Sequence, residues 1–299
     1  MTKTDRKIVK EHRDYNSWVA TETLEDYSLR YAPKSFRKWS EFLVANTAIG
    51  GISFLALEAI GGSLVINYGF TNSFWAIIVV SLIIFLAGLP IAYYASKYNI
   101  DIDLLTRGAG FGYIGSTITS LIYASFTFIF FAIEAAIMAQ ALQLYFHITL
   151  AWGYLICSVI IIPIVFYGVT LINKLQLWTQ PIWLFLMVSP YLFVLHKEPE
   201  ALNYWFNFTG NSPVGNQFDP ILFAMAAKVS FSLIAQLGEQ VDYLRFLPSK
   251  NQNNSRKWWI AMLVAGPGWV VLGLAKQLGG AFLAVSYTHL RAHETARHL

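Results

Sequence analysis

Long apolar runs separated by short polar connections fill this chain from about residue 42 onward. Seven of them lie near residues 42–67, 73–95, 114–146, 151–169, 178–195, 221–244 and 258–283. About 20 predominantly apolar residues are enough for a helix to cross a bilayer, so the pattern predicts seven transmembrane helices and an all-α membrane fold. The third run, at about 33 residues, exceeds that length and must tilt or project beyond the membrane. Pro90, Pro163, Pro181 and Pro190 fall within or at the ends of these runs. Membrane helices tolerate such interruptions because neighbouring helices satisfy the freed backbone groups.

The polar connections are asymmetric. The first 40 residues carry nine Lys and Arg, and the alternate loops on the same side add Lys97, Arg107, Lys174, Arg245, Lys250, Arg256 and Lys257. The opposite loops carry only Lys197. Sixteen basic residues against one, weighed by the positive-inside rule, predict a cytoplasmic N-terminus in a bacterial inner membrane. The loop at 196–220 is then external, and its Trp, Tyr and Phe suit the membrane interface; its short Asn207-Phe208-Thr209 sequon is given no weight. The same asymmetry accounts for the net charge of +4, so no nucleic-acid partner is expected.

Composition agrees. The chain is 56% hydrophobic and 13% charged, whereas soluble domains carry roughly 25% charged residues. The single cysteine, Cys157, removes disulfides and Cys-based metal sites from consideration. No signal peptide precedes the first span. The expected organisation is a cytoplasmic segment at 1–40, a truncated transmembrane permease-like domain at 41–283 and a foreign tail at 284–299. That tail holds His289, His293 and His298. It looks like the in-frame translation of a sequencing adapter, so the natural chain is expected to continue beyond about Leu283, and the histidine spacing is not expected to bind metal.

Several polar groups sit inside the apolar runs: Glu58, Glu134 with Gln140, Lys228, then Gln236, Glu239, Gln240 and Asp242, and finally Lys276. A charged side chain at mid-bilayer costs about 2.5–3.5 kcal/mol on insertion scales, so such residues usually face a cavity or each other. Glu58 and Glu134 are expected to line one, although a protonated Glu58 bonded to a neighbouring helix also fits. Asp242 and Arg245, three apart, are expected to form a structural ion pair. Lys228 and Lys276 are expected to snorkel to an interface, where His147 is also expected. Gly50, Gly51, Gly61 and Gly62 in the first span, and Gly238 in the sixth, are expected to break their helices and expose backbone to ions or substrate. Interruptions five spans apart would suit an inverted repeat of five helices.

These residues also carry a family resemblance. "FLALEAIGGSLVINYGF" resembles the glycine-interrupted first helix of the nucleobase–cation symport family, which includes purine–cytosine permeases, hydantoin transporters and allantoin transporters. "DLLTRGAGFGYIGS" is similar to the approach to its third helix, "YGVTLINKLQLWTQPIW" to its fourth-to-fifth junction, and "EQVDYLRFLP" to the end of its sixth helix. The resemblance implies inverted five-plus-five helix repeats with helices one and six broken. It also implies substrate stacked on aromatic rings of helices three and six. Phe130 falls on the stacking position and Glu134 on the amide position, while Glu58, Gln236, Gly238 and Glu239 fall on the substrate-binding stretches of helices one and six.

The implied function is proton- or sodium-coupled uptake of a nucleobase or related small nitrogenous ring compound. No catalytic residue, metal or cofactor is implied beyond the coupling ion, and the partners are substrate and lipid bilayer. Two departures matter: Phe130 replaces the family's tryptophan, and the carboxylate of Glu134 replaces an amide, which suits a cationic or amine-bearing ligand or proton coupling. An alternative comes from the opening "RDYNSWVATETLEDYSLRYAPKSFRKWSEFLVANTA". This resembles hybrid proteins in which a permease-like domain is the ligand-sensing input of a fused histidine kinase. An enzyme is disfavoured, because the internal carboxylates lack neighbouring His, Cys or a recognisable nucleophile.

Overall fold

The computed structural model describes Ala32, Arg37, residues 39–166 and residues 168–297, with side-chain surroundings given outside 168–170 and 289–297. Most of the segment at 1–40, His298, and the side chains of His289 and His293 lie outside what is described. The helices are α1 (Glu41–Gly51), α2 (Ala56–Tyr98), α3 (Ile102–Thr106), α4 (Gly112–Phe146), α5 (Leu150–Phe166) and α6 (Gly168–Lys197). They continue as α7 (Ala201–Phe206), α8 (Pro220–Phe231), α9 (Leu237–Leu244), α10 (Ser255–Ala265) and α11 (Gly268–Arg297). A π-helical turn, Arg107–Phe111, joins α3 to α4, and a 3-10 turn, Ser232–Gln236, joins α8 to α9. Among the described residues there is no strand. Five helical stretches are long and apolar enough to cross a membrane: Ala56–Tyr98, Ile102–Phe146, Leu171–Lys197, Pro220–Leu244 and Gly268–Thr288. This is an all-α, multi-pass membrane protein.

Local chemistry sets the ends of these helices. Ser40 caps α1 by accepting from the Leu43 N–H at 3.2 Å, and Asp101 caps α3 through the Leu104 N–H at 2.9 Å. Asp219 accepts from the N–H groups of Ile221 and Leu222 ahead of α8, with Pro220 at its first position; proline fits there because that N–H has no helical partner. The second half of the first expected span and the whole of the second follow one another in α2, separated by a kink at Gly69, whose dihedrals (φ 74°, ψ 171°) are not helical. A side chain at Gly69 would also meet the Thr209 carbonyl at 2.9 Å. The 207–217 loop closes over this bend, with Phe70 N–H donating to the Phe208 carbonyl (2.8 Å) and Asn72 to that of Gln217 (3.1 Å).

The two halves of the broken first span pack on different neighbours. The first half of α2 lies against α11 and α8, whereas α1 lies against α10 and α6. Where α2 meets α11 the backbones nearly touch. A Cβ on Gly61 would sit 1.8 Å from the Gln277 carbonyl oxygen, and one on Gly280 would sit 2.1 Å from that of Glu58. Small residues permit such close crossings in membranes. Gly61 and Gly62 therefore do not break the first span, contrary to expectation; they lie inside continuous helix and admit a neighbour. The seventh expected span, in contrast, is interrupted at Gly266-Pro267 between α10 and α11, where proline can neither donate nor continue the helix. α4, α5 and α6 form an outer layer whose large apolar side chains, such as Phe128, Trp178 and Phe185, are exposed. In hydrocarbon such faces carry no solvation cost.

Candidate functional site

The first span is broken, but at Ile52–Leu55, immediately after Gly50-Gly51. A break leaves the last carbonyls of one helix and the first N–H groups of the next without helical partners, and at membrane depth they must find others. Three helices supply them. From α4, Glu134 accepts from the Ala56 N–H at 2.7 Å and the Leu55 N–H at 3.2 Å, one bond to each carboxylate oxygen. From α11, the Lys276 ammonium donates to the carbonyls of Phe54 (2.6 Å) and Ile52 (3.0 Å). From α6, Trp183 Nε1–H donates to the Ser53 carbonyl at 2.8 Å. The anion sits on the N-terminal end of α2 and the cation on the carbonyl end of α1, as the helix dipoles favour.

Lys276 also lies 3.1 Å from Glu58 and is 3% exposed. It does not snorkel: burial among carbonyls and a carboxylate gives its three protons better partners than an interface would. Lys228, expected to behave in the same way, is exposed in the last turn of α8. His147 ends α4 in the left-handed conformation (φ 56°).

Beside the break is a cavity of about 360 Å³, within the usual size range for small-molecule sites. Phe130, Glu134, Gln236 and Glu239, all expected at a substrate site, line it together with Gly51. Asp242 joins them, contributed by the last turn of α9. The pairing expected between Asp242 and Arg245 is not closer than 4 Å among the described residues; Asp242 instead accepts from the Tyr123 hydroxyl at 3.2 Å. Arg245 lies over the Phe246 ring, 5.0 Å from its centroid. Phe130 packs against Phe126 (centroids 4.4 Å apart) and edge-on to Phe54 of the break (5.7 Å).

Glu58 does not reach this cavity. It borders a separate, more open hollow of about 510 Å³ with Gly62, Ser63 and Asn67, on the Lys276 side of the break. Gly238 lines neither space and does not break α9. It is buried because the Tyr123 ring rests on it, 2.7 Å from where a Cβ would lie. The sixth span is instead tightened at Ser232–Gln236, just before Gly238, without leaving helical dihedrals at its ends.

Residues missed from sequence complete the picture. Tyr243 donates its hydroxyl to Glu239, one turn earlier, and Gly51 lies within reach of both. Tyr123 precedes Phe130 by two helical turns, a spacing that places both on one face and was available as a signal. The cavity wall carries three carboxylates, from Glu134, Glu239 and Asp242, and neither Lys, Arg nor His. Gln236 is 3% exposed, and its Oε1 has no partner among the described residues. Among those residues no group of His, Cys, Asp and Glu could hold a metal ion. The chain matches no protein-family model, and comparison with curated proteins gave no match.

Proposed function

We propose that this protein is a secondary active transporter of the cytoplasmic membrane, similar to the nucleobase–cation symport family, with its N-terminus in the cytoplasm. Its substrate is a small nitrogenous ring compound, taken up with a proton or sodium. The cavity of about 360 Å³ beside a broken first helix carries this reading, because it joins an aromatic wall to a cluster of hydrogen-bond acceptors. Phe130 supplies the stacking face. Gln236 and Glu239 on the same wall supply the edge contacts. Three carboxylates with no basic residue among the lining favour a ring bearing an amine or a positive charge over an anionic one. Binding and release are the work asked of these residues, not bond-making.

Equilibrium binding of radiolabelled ring compounds to the purified chain tests this. Stacking on an aromatic residue is worth about 1–3 kcal/mol per base, so Phe130→Ala should weaken binding about 5- to 150-fold. Binding that is unaffected by Phe130→Ala and by Gln236→Ala would refute the assignment of the cavity.

A further inference from the structure

The carbonyl end of a broken membrane helix is a place where cations bind, because its oxygens carry partial negative charge and have no helical donor. Here the atoms that would form such a site are already engaged. The Lys276 ammonium has three protons and no acceptor capacity, and three oxygens converge on it: Ile52 O at 3.0 Å, Phe54 O at 2.6 Å and Glu58 Oε1 at 3.1 Å. The rings of Phe54 and Trp183 flank the same nitrogen at 5.7 and 5.3 Å, distances at which a cation is attracted to an aromatic face. The three ammonium protons are thus matched by three oxygens, while Glu58 Oε2 is buried without a partner among the described residues.

The backbone around Lys276 fixes it in place. One turn further along α11, Gly280 presses against the Glu58 backbone, and Gly61 of α2 presses against Gln277. These contacts set the height of α11 against α2, so the lysine stem enters the break at one level only. Charge is balanced locally as well: the ammonium faces Glu58, and Glu134 occupies the opposite end of the break on the N–H groups of Leu55 and Ala56.

We propose that Lys276 is the resident cation of the first-helix break, a covalently tethered ammonium in the place that a dissolved monovalent metal ion would otherwise take. The two are mutually exclusive, since a metal ion would need the same carbonyl and carboxylate oxygens. The proposal does not depend on the identity of the transported compound, and its test uses none.

The test is thermal unfolding of the purified 299-residue chain, with sodium chloride compared against choline chloride at equal ionic strength. The wild-type chain should show no saturable stabilisation by sodium, potassium or lithium. Lys276→Met keeps most of the stem but vacates the oxygens. It should melt at a lower temperature and gain a saturable response to one of these ions. That response should be about 5–10 °C at a concentration a hundredfold above half-saturation. Adding Glu58→Gln to that variant should abolish the gain or weaken it at least tenfold in ion concentration. Saturable stabilisation of the wild-type chain by sodium would overturn the proposal, and so would a folded Lys276→Met with no response to any of the three ions. Should Lys276→Met fail to accumulate, the wild-type titration decides: a flat response supports the tethered cation, and a saturable one removes it.

Discussion

Replacing Glu134 should destabilise the protein with no ligand present, because its carboxylate holds the first helix together across the break. Both oxygens are engaged, at 2.7 and 3.2 Å from the N–H groups of Ala56 and Leu55. A hydrogen bond to a charged group contributes about 1.5–3 kcal/mol, and the adjoining dipole adds roughly 0.3–1 kcal/mol. Glu134→Gln retains one acceptor oxygen and should lose about 2 kcal/mol; Glu134→Ala retains none and should lose about 4 kcal/mol. At roughly 2–4 °C per kcal/mol for a chain of this size class, the melting temperature should fall by about 6 °C and 12 °C respectively. Tryptophan fluorescence during heating in detergent measures this, with Gln140→Ala on the same helix as the control. A Glu134→Ala chain melting within about 1 °C of wild type would refute the capping role and return Glu134 to a purely ligand-facing one.

Other outcomes follow from the same geometry. Gly61→Ala and Gly280→Ala each force a methyl into backbone, and should sharply reduce the monodisperse yield on size exclusion. Gly108→Ala has nothing within 4 Å of the new atom and should leave the yield unchanged; equal yields for all three would show that α2 and α11 are not in contact. Gly238→Ala should push the Tyr123 ring off the cavity wall and weaken ring-compound binding at least several-fold, read by the same equilibrium assay. At Asp101, outside the membrane, burial raises the carboxyl above its usual range, with the Leu104 N–H bond opposing. The native state then holds that proton more tightly than the unfolded chain, so its stability falls as pH rises through the raised value. Asp101→Asn keeps the cap but removes the titration. It should therefore be more stable than wild type near neutrality, and the gap should close as pH falls towards about 4; a gap that widens on acidification would refute the sign.

Hydropathy made the helices legible because apolar length is a direct requirement of the bilayer. It also located the break approximately, since acids and glycines cluster there; the grouping of Phe130, Glu134, Gln236 and Glu239, which line one cavity, is an implication of the family resemblance and not of hydropathy. The roles of the glycines were less legible. Gly50-Gly51 and Gly61-Gly62 are indistinguishable as sequence, but only the first pair adjoins broken backbone; the second admits α11, a long-range contact that no local pattern encodes. Lys276 was misread for a related reason: a lysine near a span end reaches water or a buried carboxylate depending on what faces it from 218 positions away at Glu58. The Gly266-Pro267-Gly268 run was a readable stop signal, overridden by the apolar residues on either side.

The near-fusion of α2 and α11 at Gly61 and Gly280 has a mechanical consequence. Sliding or tilting between these two helices would drive backbone into backbone, so they must travel as one rigid body. The short α1, seated on α10 and α6 instead, belongs to the other side of two aligned interruptions, at Ile52–Leu55 and at Gly266-Pro267. Lys276 spans the first of them, because it rides on α11 and grips the carbonyls of Ile52 and Phe54 just after α1.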